Sequence, residues 1–171
     1  SIKVIPDAIT EEISKAFDYK FDGTTKFDVP FLPELPKEFG IGLIVGASGS
    51  GKSSLLQNFG NEEQFFWDAD KAVCSHFADA TEAQEKLGGV GFNSIPSWLR
   101  PYHVLSTGEK FRADLARRLK TNAVIDEFTS VVDRNVAKSC AYAIRRYIDK
   151  KDLKNVIFAS CHYDIIEWLQ P

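Results

Sequence analysis

With 171 residues, 44% of them hydrophobic and 26% charged, the chain has the make-up of one globular domain with a full core. A formal net charge of −3 gives no footprint for stand-alone nucleic-acid binding. No apolar run approaches the ~18 residues of a membrane-spanning helix, and the N-terminus lacks the basic-then-apolar layout of a signal peptide. Three scattered cysteines (Cys74, Cys140, Cys161) form no CxxC pair, which argues against zinc or a disulfide framework and fits a reduced, cytoplasmic chain.

TEEISKAF (10–17) has helical spacing, and the aromatic alternation from Phe17 to Phe27 reads as strand or loop. The proline-rich stretch 29–40 is too short for a linker and suggests an edge strand or wrapped loop. IGLIV (41–45) is a buried-strand run, followed by a Gly/Ser loop and a short helix, SSLLQNF, stopped at Gly60. FFW (65–67) and AVCSHF (72–77) each suit a short strand. TEAQEKL (81–87) reads as a helix with Thr81 as its cap. Phe111, Leu115 and Leu119 share one helical face, and NAVID (122–126) is another buried strand. A helix through Val136, Cys140, Ile144 and Tyr147 follows, then the strand NVIFAS (155–160) and a terminal helix, DIIEWL (164–169). Strands alternating with helices predict an α/β sandwich around a largely parallel sheet.

GASGSGKS (46–53) matches G-x-x-x-x-G-K-[ST] and lies between a strand and a helix, where its mechanism requires it. Gly46, Ala47, Ser48, Gly49, Ser50, Gly51 and the following Ser54 would curl backbone N–H groups around a phosphate chain. Lys52 would reach the β- and γ-phosphates, and Ser53 would be a Mg²⁺ ligand. Downstream, the strand AVIDEF (123–128) ends in two acids. Beside the loop strand, Asp126 would face the metal shell and Glu127 would polarise an attacking water. LSTGEKF opens a well-capped helix at Ser106, and NVIFASCH delivers His162 to a sheet edge.

In this order, over residues 40–165, these segments resemble the ATP-binding-cassette ATPase superfamily. GASGSGKS looks like its Walker A, LSTGE (105–109) is similar to its LSGGQ signature, and AVIDE looks like its Walker B. DEFTSVVD (126–133) resembles DEPTSALD, and SCHYD (160–164) resembles the switch-histidine strand. The resemblance implies a P-loop three-layer sandwich with a mostly parallel sheet, forming a single ATPase domain over 1–171. Its parts would be an N-terminal strand and loop region (1–40), a Walker A half (41–80), a reduced helical and signature region (81–120), and a Walker B to switch-histidine region (121–171).

ATP and Mg²⁺ would be bound by Lys52, Ser53, Asp126, Glu127 and His162 in cis. Ser106 and Gly108 would act in trans across a head-to-tail homodimer that carries Asp133 on its interface. Glu127, His162 and Lys52 would be catalytic, and Tyr19 is the first choice to stack on adenine among the five aromatics between residues 17 and 31. Only 54 residues separate Lys52 from Ser106, so the helical subdomain is strongly shortened and a transporter role is disfavoured. No glutamine stands where the Q-loop belongs, and His76 is the candidate substitute, or else an ordinary packed histidine. The runs DEFTSVVDR and SCHYDIIEWLQP also resemble a compact soluble branch found in bacteria and phages, which implies a fused or adjacent acetyltransferase-type domain. The chain end fits either a domain cut from a longer protein or a small stand-alone version.

Two other readings stay open. A P-loop kinase would need a lid with arginines, for which Arg112, Arg117 and Arg118 are the candidates. A nucleotide-dependent clamp that hardly hydrolyses would fit the altered signature.

Overall fold

The computed structural model describes residues 2–26, 28 and 32–171, which fall into two units, 1–31 and 32–171. In the first, Ile2–Lys3 (β1) and Thr24–Thr25 (β2) pair antiparallel, and Ala8–Ala16 (α1) is closed by a capping box between Asp7 and Thr10. The helix read at 10–17 therefore begins two residues earlier. Residues 32–40 carry no strand, as a wrapped loop would, and Phe27 and residues 29–31 lie outside the described residues.

In the second unit three runs rich in β-branched residues build the central sheet. Ile41–Val45 (β3), Val124–Ile125 (β4) and Val156–Ser160 (β5) pair in the order β3-β5-β4, all parallel. The register sets Ile41 opposite Val156, Val45 opposite Ser160 and Ile125 opposite Phe158. Strand β5 is buried at every position. Alternation along it sends Val156 and Phe158 into the main core and Ile157 and Ala159 into a smaller one. The smaller core packs Leu56 of Lys52–Leu56 (α2), Phe59 and Phe39 on one face of the sheet. The larger covers the other face with Ala80–Gly89 (α3), Thr107–Arg118 (α5), Arg134–Lys151 (α6) and Ile165–Leu169 (α7), a single turn at Ile95–Trp98 (α4) lying between the first two in sequence. The result is the three-layer α/β sandwich read from the sequence.

Several local expectations are corrected. The strand carrying Asp126 does not lie beside the loop strand, because β5 is inserted between them and hydrogen-bonds to both. Residues 65–67 are irregular, since the carbonyls of Glu63 and Phe66 accept from the guanidinium groups of Arg118 and Arg117 rather than from a strand partner. Residues 72–77 form a 3-10 turn, Val73–His76, instead of a strand. The His76 ring causes this, clipping the turn to the backbone at Asp68 and Ala72. Helix α3 is capped by Asp79, whose carboxylate accepts from Glu82 N–H at 2.8 Å, and not by Thr81. Between Lys52 and Ser106 the helical content beyond α2 is α3, α4 and short 3-10 turns, so the subdomain is indeed small.

Cys140 is fully buried on α6, and burial pushes its thiol up to about 12, whereas Cys74 and Cys161 are half-buried. A thiol reagent at mildly alkaline pH is expected to titrate Cys74 and Cys161 in the native protein and Cys140 only after unfolding. Equal reactivity of all three would show that α6 is not packed against the sheet.

Candidate functional site

The parallel strands β3, β4 and β5 deliver three loops to one edge of the sheet. Ser160, fully buried, joins them. Its carbonyl accepts from Gly46 N–H at 3.3 Å, its hydroxyl donates to the Phe128 carbonyl at 2.9 Å, and the same oxygen accepts from His162 N–H at 3.1 Å.

The loop after β3 turns through Gly49 (φ +76°) and Gly51 (φ +88°), left-handed positions that glycine adopts without a Cβ penalty. A Cβ on Gly46 would stand 2.7 Å from Ser50 Oγ, so the loop closes tightly on itself. Ser50 N–H donates to the Ala47 carbonyl at 3.2 Å, and Lys52 Nζ donates to the same carbonyl at 2.7 Å, laying the ammonium across the loop. Ser53 and Ser54 are exposed on the first turn of α2. Among the described residues the N–H groups of Gly49, Gly51, Lys52 and Ser53 meet no protein acceptor. Unpaired donors beside one ammonium fit a chain of phosphates.

Asp126 and Glu127 follow β4. Glu127 stands in the left-handed region (φ +51°) and its N–H donates to Asp126 Oδ1 at 2.8 Å. Thr129, a β-branched residue, is also left-handed (φ +68°) and fully buried. Such positions cost ~1–3 kcal/mol each and persist where surroundings over-determine them. Here the over-determining bonds run to β5: Phe128 N–H donates to Ala159 O at 2.8 Å, and Ser160 holds the Phe128 carbonyl. His162, beyond β5, has Nδ1 at 3.3 Å from Thr129 Oγ1. No cluster of three His, Cys, Asp or Glu side chains suited to a metal occurs among the described residues. Ser53 and Asp126 fit Mg²⁺, which takes few protein ligands and completes its shell with water and phosphate oxygens.

Ser106 caps α5. Its hydroxyl accepts from Glu109 N–H at 3.2 Å while Glu109 Oε1 accepts from Ser106 N–H at 3.1 Å. The departure from the signature's glutamine is thereby built into the cap, and the Ser106 hydroxyl keeps its own proton for donation. The Ser97 hydroxyl, the largest influence, together with Ser106 and Arg112 holds the Glu109 carboxyl below its ordinary value against burial, the second-largest influence. Gly108 lies on the first turn, its carbonyl accepting from Arg112 Nε at 3.1 Å. Asp133 caps α6, accepting from Asn135 and Val136 N–H at 2.9 and 3.0 Å.

His76 has no free ring nitrogen: Nε2 accepts from Asp68 N–H and Nδ1 donates to Ala72 O, both at 2.9 Å. Of the two readings of His76, this geometry is that of a packed histidine clipping its own turn. Tyr19 belongs to the 1–31 unit, where it is 68% exposed in a shallow apolar pocket with Phe17 and Phe21.

Other residues at the edge carry no sequence signal. Glu62 accepts from Asp126 N–H at 2.5 Å and pairs with Arg118 at 3.3 Å, so the C-terminal end of α5 braces the acidic loop. The brace is pinned by Trp67. Its ring stacks on Tyr102 with centroids 4.8 Å apart, its Nε1–H donates to Asp114, and the Arg117 guanidinium lies 4.5 Å over its face. Burial first, then the hydrogen bond to Asp114, raises the Tyr102 hydroxyl well above its ordinary value.

No model of a known protein family matches the chain. It is 30% identical over 123 aligned residues to the ribosome protection protein VmlR of Bacillus subtilis (strain 168), a match covering 61% of this chain. The chain spans only 21% of that relative's length. Among solved structures it is similar to the ATP-binding cassette MJ0796 in a dimeric post-hydrolysis state bound to ADP and Pi, with a TM-score of 0.55 and 15% identity. A second dimeric structure of MJ0796, described as a bacterial ABC transporter cassette, gives 0.54 at 15% identity. Each match covers 75% of this chain and 77% of the other. The resemblance read from the motifs is thus met in three dimensions, and the chain has the fold of an ATP-binding-cassette P-loop ATPase.

Proposed function

We propose that this chain binds Mg-ATP and hydrolyses it to ADP and phosphate in a head-to-tail homodimer that drives or gates a process other than transport. The observation that carries this reading is the single sheet edge at which the glycine-turned loop, Lys52, the Asp126–Glu127 pair and His162 emerge together. Lys52 and the free N–H groups of the loop hold the phosphates. Ser53 and Asp126 hold Mg²⁺, which when bound neutralises charge on the phosphate oxygens. Glu127 accepts a proton from the attacking water. His162 donates to the γ-phosphate.

Ser106 and Gly108 complete the partner's site with a helix N-terminus and a hydroxyl proton, and Asp133 lies between the two copies. A non-transport role is supported by the small helical region between Lys52 and Ser106. No helix among the described residues is long and apolar enough to cross a membrane.

The test is the molar mass of the Glu127→Gln variant by light scattering, with and without Mg-ATP. Doubling only with Mg-ATP is expected, because the anion gripped from both sides persists when hydrolysis stops. A monomer at saturating Mg-ATP, in a variant shown to bind the nucleotide, would sink the homodimer. For the unmodified chain the product to measure is free phosphate, and a phosphorylated acceptor would establish a kinase in its place.

A further inference from the structure

His162 is met on one side by a chain of polar groups to which the motif reading assigned no role. Arg134, the first residue of α6, donates from Nε to Asp164 Oδ2 at 3.0 Å and from Nη2 to the other oxygen of that carboxylate. Its guanidinium carbon lies 5.1 Å over the Trp168 ring. Clamped by these contacts, it directs Nη1 at Thr129 Oγ1, 3.4 Å away. Arginine has donors only, so the Thr129 oxygen is the acceptor in that contact. The Thr129 side chain is fully buried, and a buried hydroxyl hydrogen needs an acceptor of its own. Among the described residues the acceptor within reach is His162 Nδ1, at 3.3 Å. Cys161 Sγ lies 3.9 Å from both ring nitrogens and so does not favour either.

We propose that Thr129 and Arg134 are positioning residues that fix the tautomer of His162. With the Thr129 hydroxyl donating to Nδ1, the neutral ring carries its proton on Nε2, on the side turned away from Thr129. His162 is thereby held as a hydrogen-bond donor before any nucleotide arrives. The left-handed backbone of Thr129 gains a reason: it brings Oγ1 back onto the histidine from the loop that carries Asp126 and Glu127. Water-facing histidines exchange between tautomers, whereas this one is set by two partners on α6 and the β4 loop.

The test reads the imidazole nitrogens directly. In ¹⁵N-labelled, nucleotide-free protein at about pH 8.5, where an ordinary imidazole is neutral, Nδ1 of His162 is expected at the unprotonated position and Nε2 at the protonated one. Thr129→Val should move Nδ1 toward the averaged value, and Thr129→Ser should restore it. Arg134→Gln should produce a partial shift. A protonated Nδ1 in the unmodified chain would overturn the proposal, whether or not any variant folds.

The consequence for turnover rests on the proposed role of His162 at the γ-phosphate. Thr129→Val is expected to lower kcat at least about tenfold with KM unchanged, Thr129→Ser retaining most of it. If His162→Ala leaves kcat unchanged while the tautomer pattern holds, the sensor role fails and the tautomer assignment stands.

Discussion

Replacing Lys52 by alanine is expected to weaken ATP binding at least about 100-fold while leaving thermal unfolding within a few degrees of the unmodified chain. Among the described residues the ammonium has a single protein partner, the Ala47 carbonyl at 2.7 Å, so its removal leaves no buried charge unpaired. Toward a polyphosphate the same group makes charge-assisted hydrogen bonds, and those are worth ~1.5–3 kcal/mol each. Two such contacts correspond to a factor of about 100 or more in affinity. Isothermal titration with ATP, with ADP as a second ligand, measures the loss. Unchanged affinity in a folded variant would remove the loop 46–53 from the nucleotide site.

Phe158→Ala is expected to destabilise the protein by about 3–5 kcal/mol, the usual range for deleting a buried aromatic ring. Phe158 is fully buried at the middle of β5, and its ring lies 4.8 Å from Phe128, itself 6.0 Å from Phe111 on α5. The cavity would therefore open between the central strand, the acidic loop and the signature helix, where three rings pack in series. Domains of this size have roughly 5–15 kcal/mol in total, so the variant would lose about a fifth or more of its stability. Urea unfolding gives the difference directly. Phe66, 82% exposed, is the control, and its alanine variant should stay within about 0.5 kcal/mol. A loss below about 1 kcal/mol for Phe158 would mean that the main core does not pass through β5.

The phosphate loop, the acidic pair and the capped helix at Ser106 are legible in the sequence because each is a local pattern whose chemistry depends on neighbours along the chain. Strand existence is legible for the same reason: IGLIV, NAVID and NVIFAS are apolar runs bounded by turn residues. Strand order is not, since nothing local to residues 123–126 tells that β5 separates them from β3. The segments 65–67 and 72–77 mislead because aromatic and β-branched runs suit a strand, yet guanidinium groups more than 50 residues away and one histidine ring take up their backbone. Glu62, Arg134 and Ser160 escape a sequence reading because each acts through partners about 30 to 64 positions distant.

The central position of β5 has a mechanical consequence. Its backbone is bonded to β3 on one side and β4 on the other, and it is buried along its whole length. A strand so held cannot slide or tilt without breaking both pairings, so His162 rides on an anchored mount two residues long. A response of that side chain to a phosphate by rotation about its own bonds leaves the strand in place. The loops of Gly46 and Phe128, moored to the same Ser160, then keep their spacing while the ring turns.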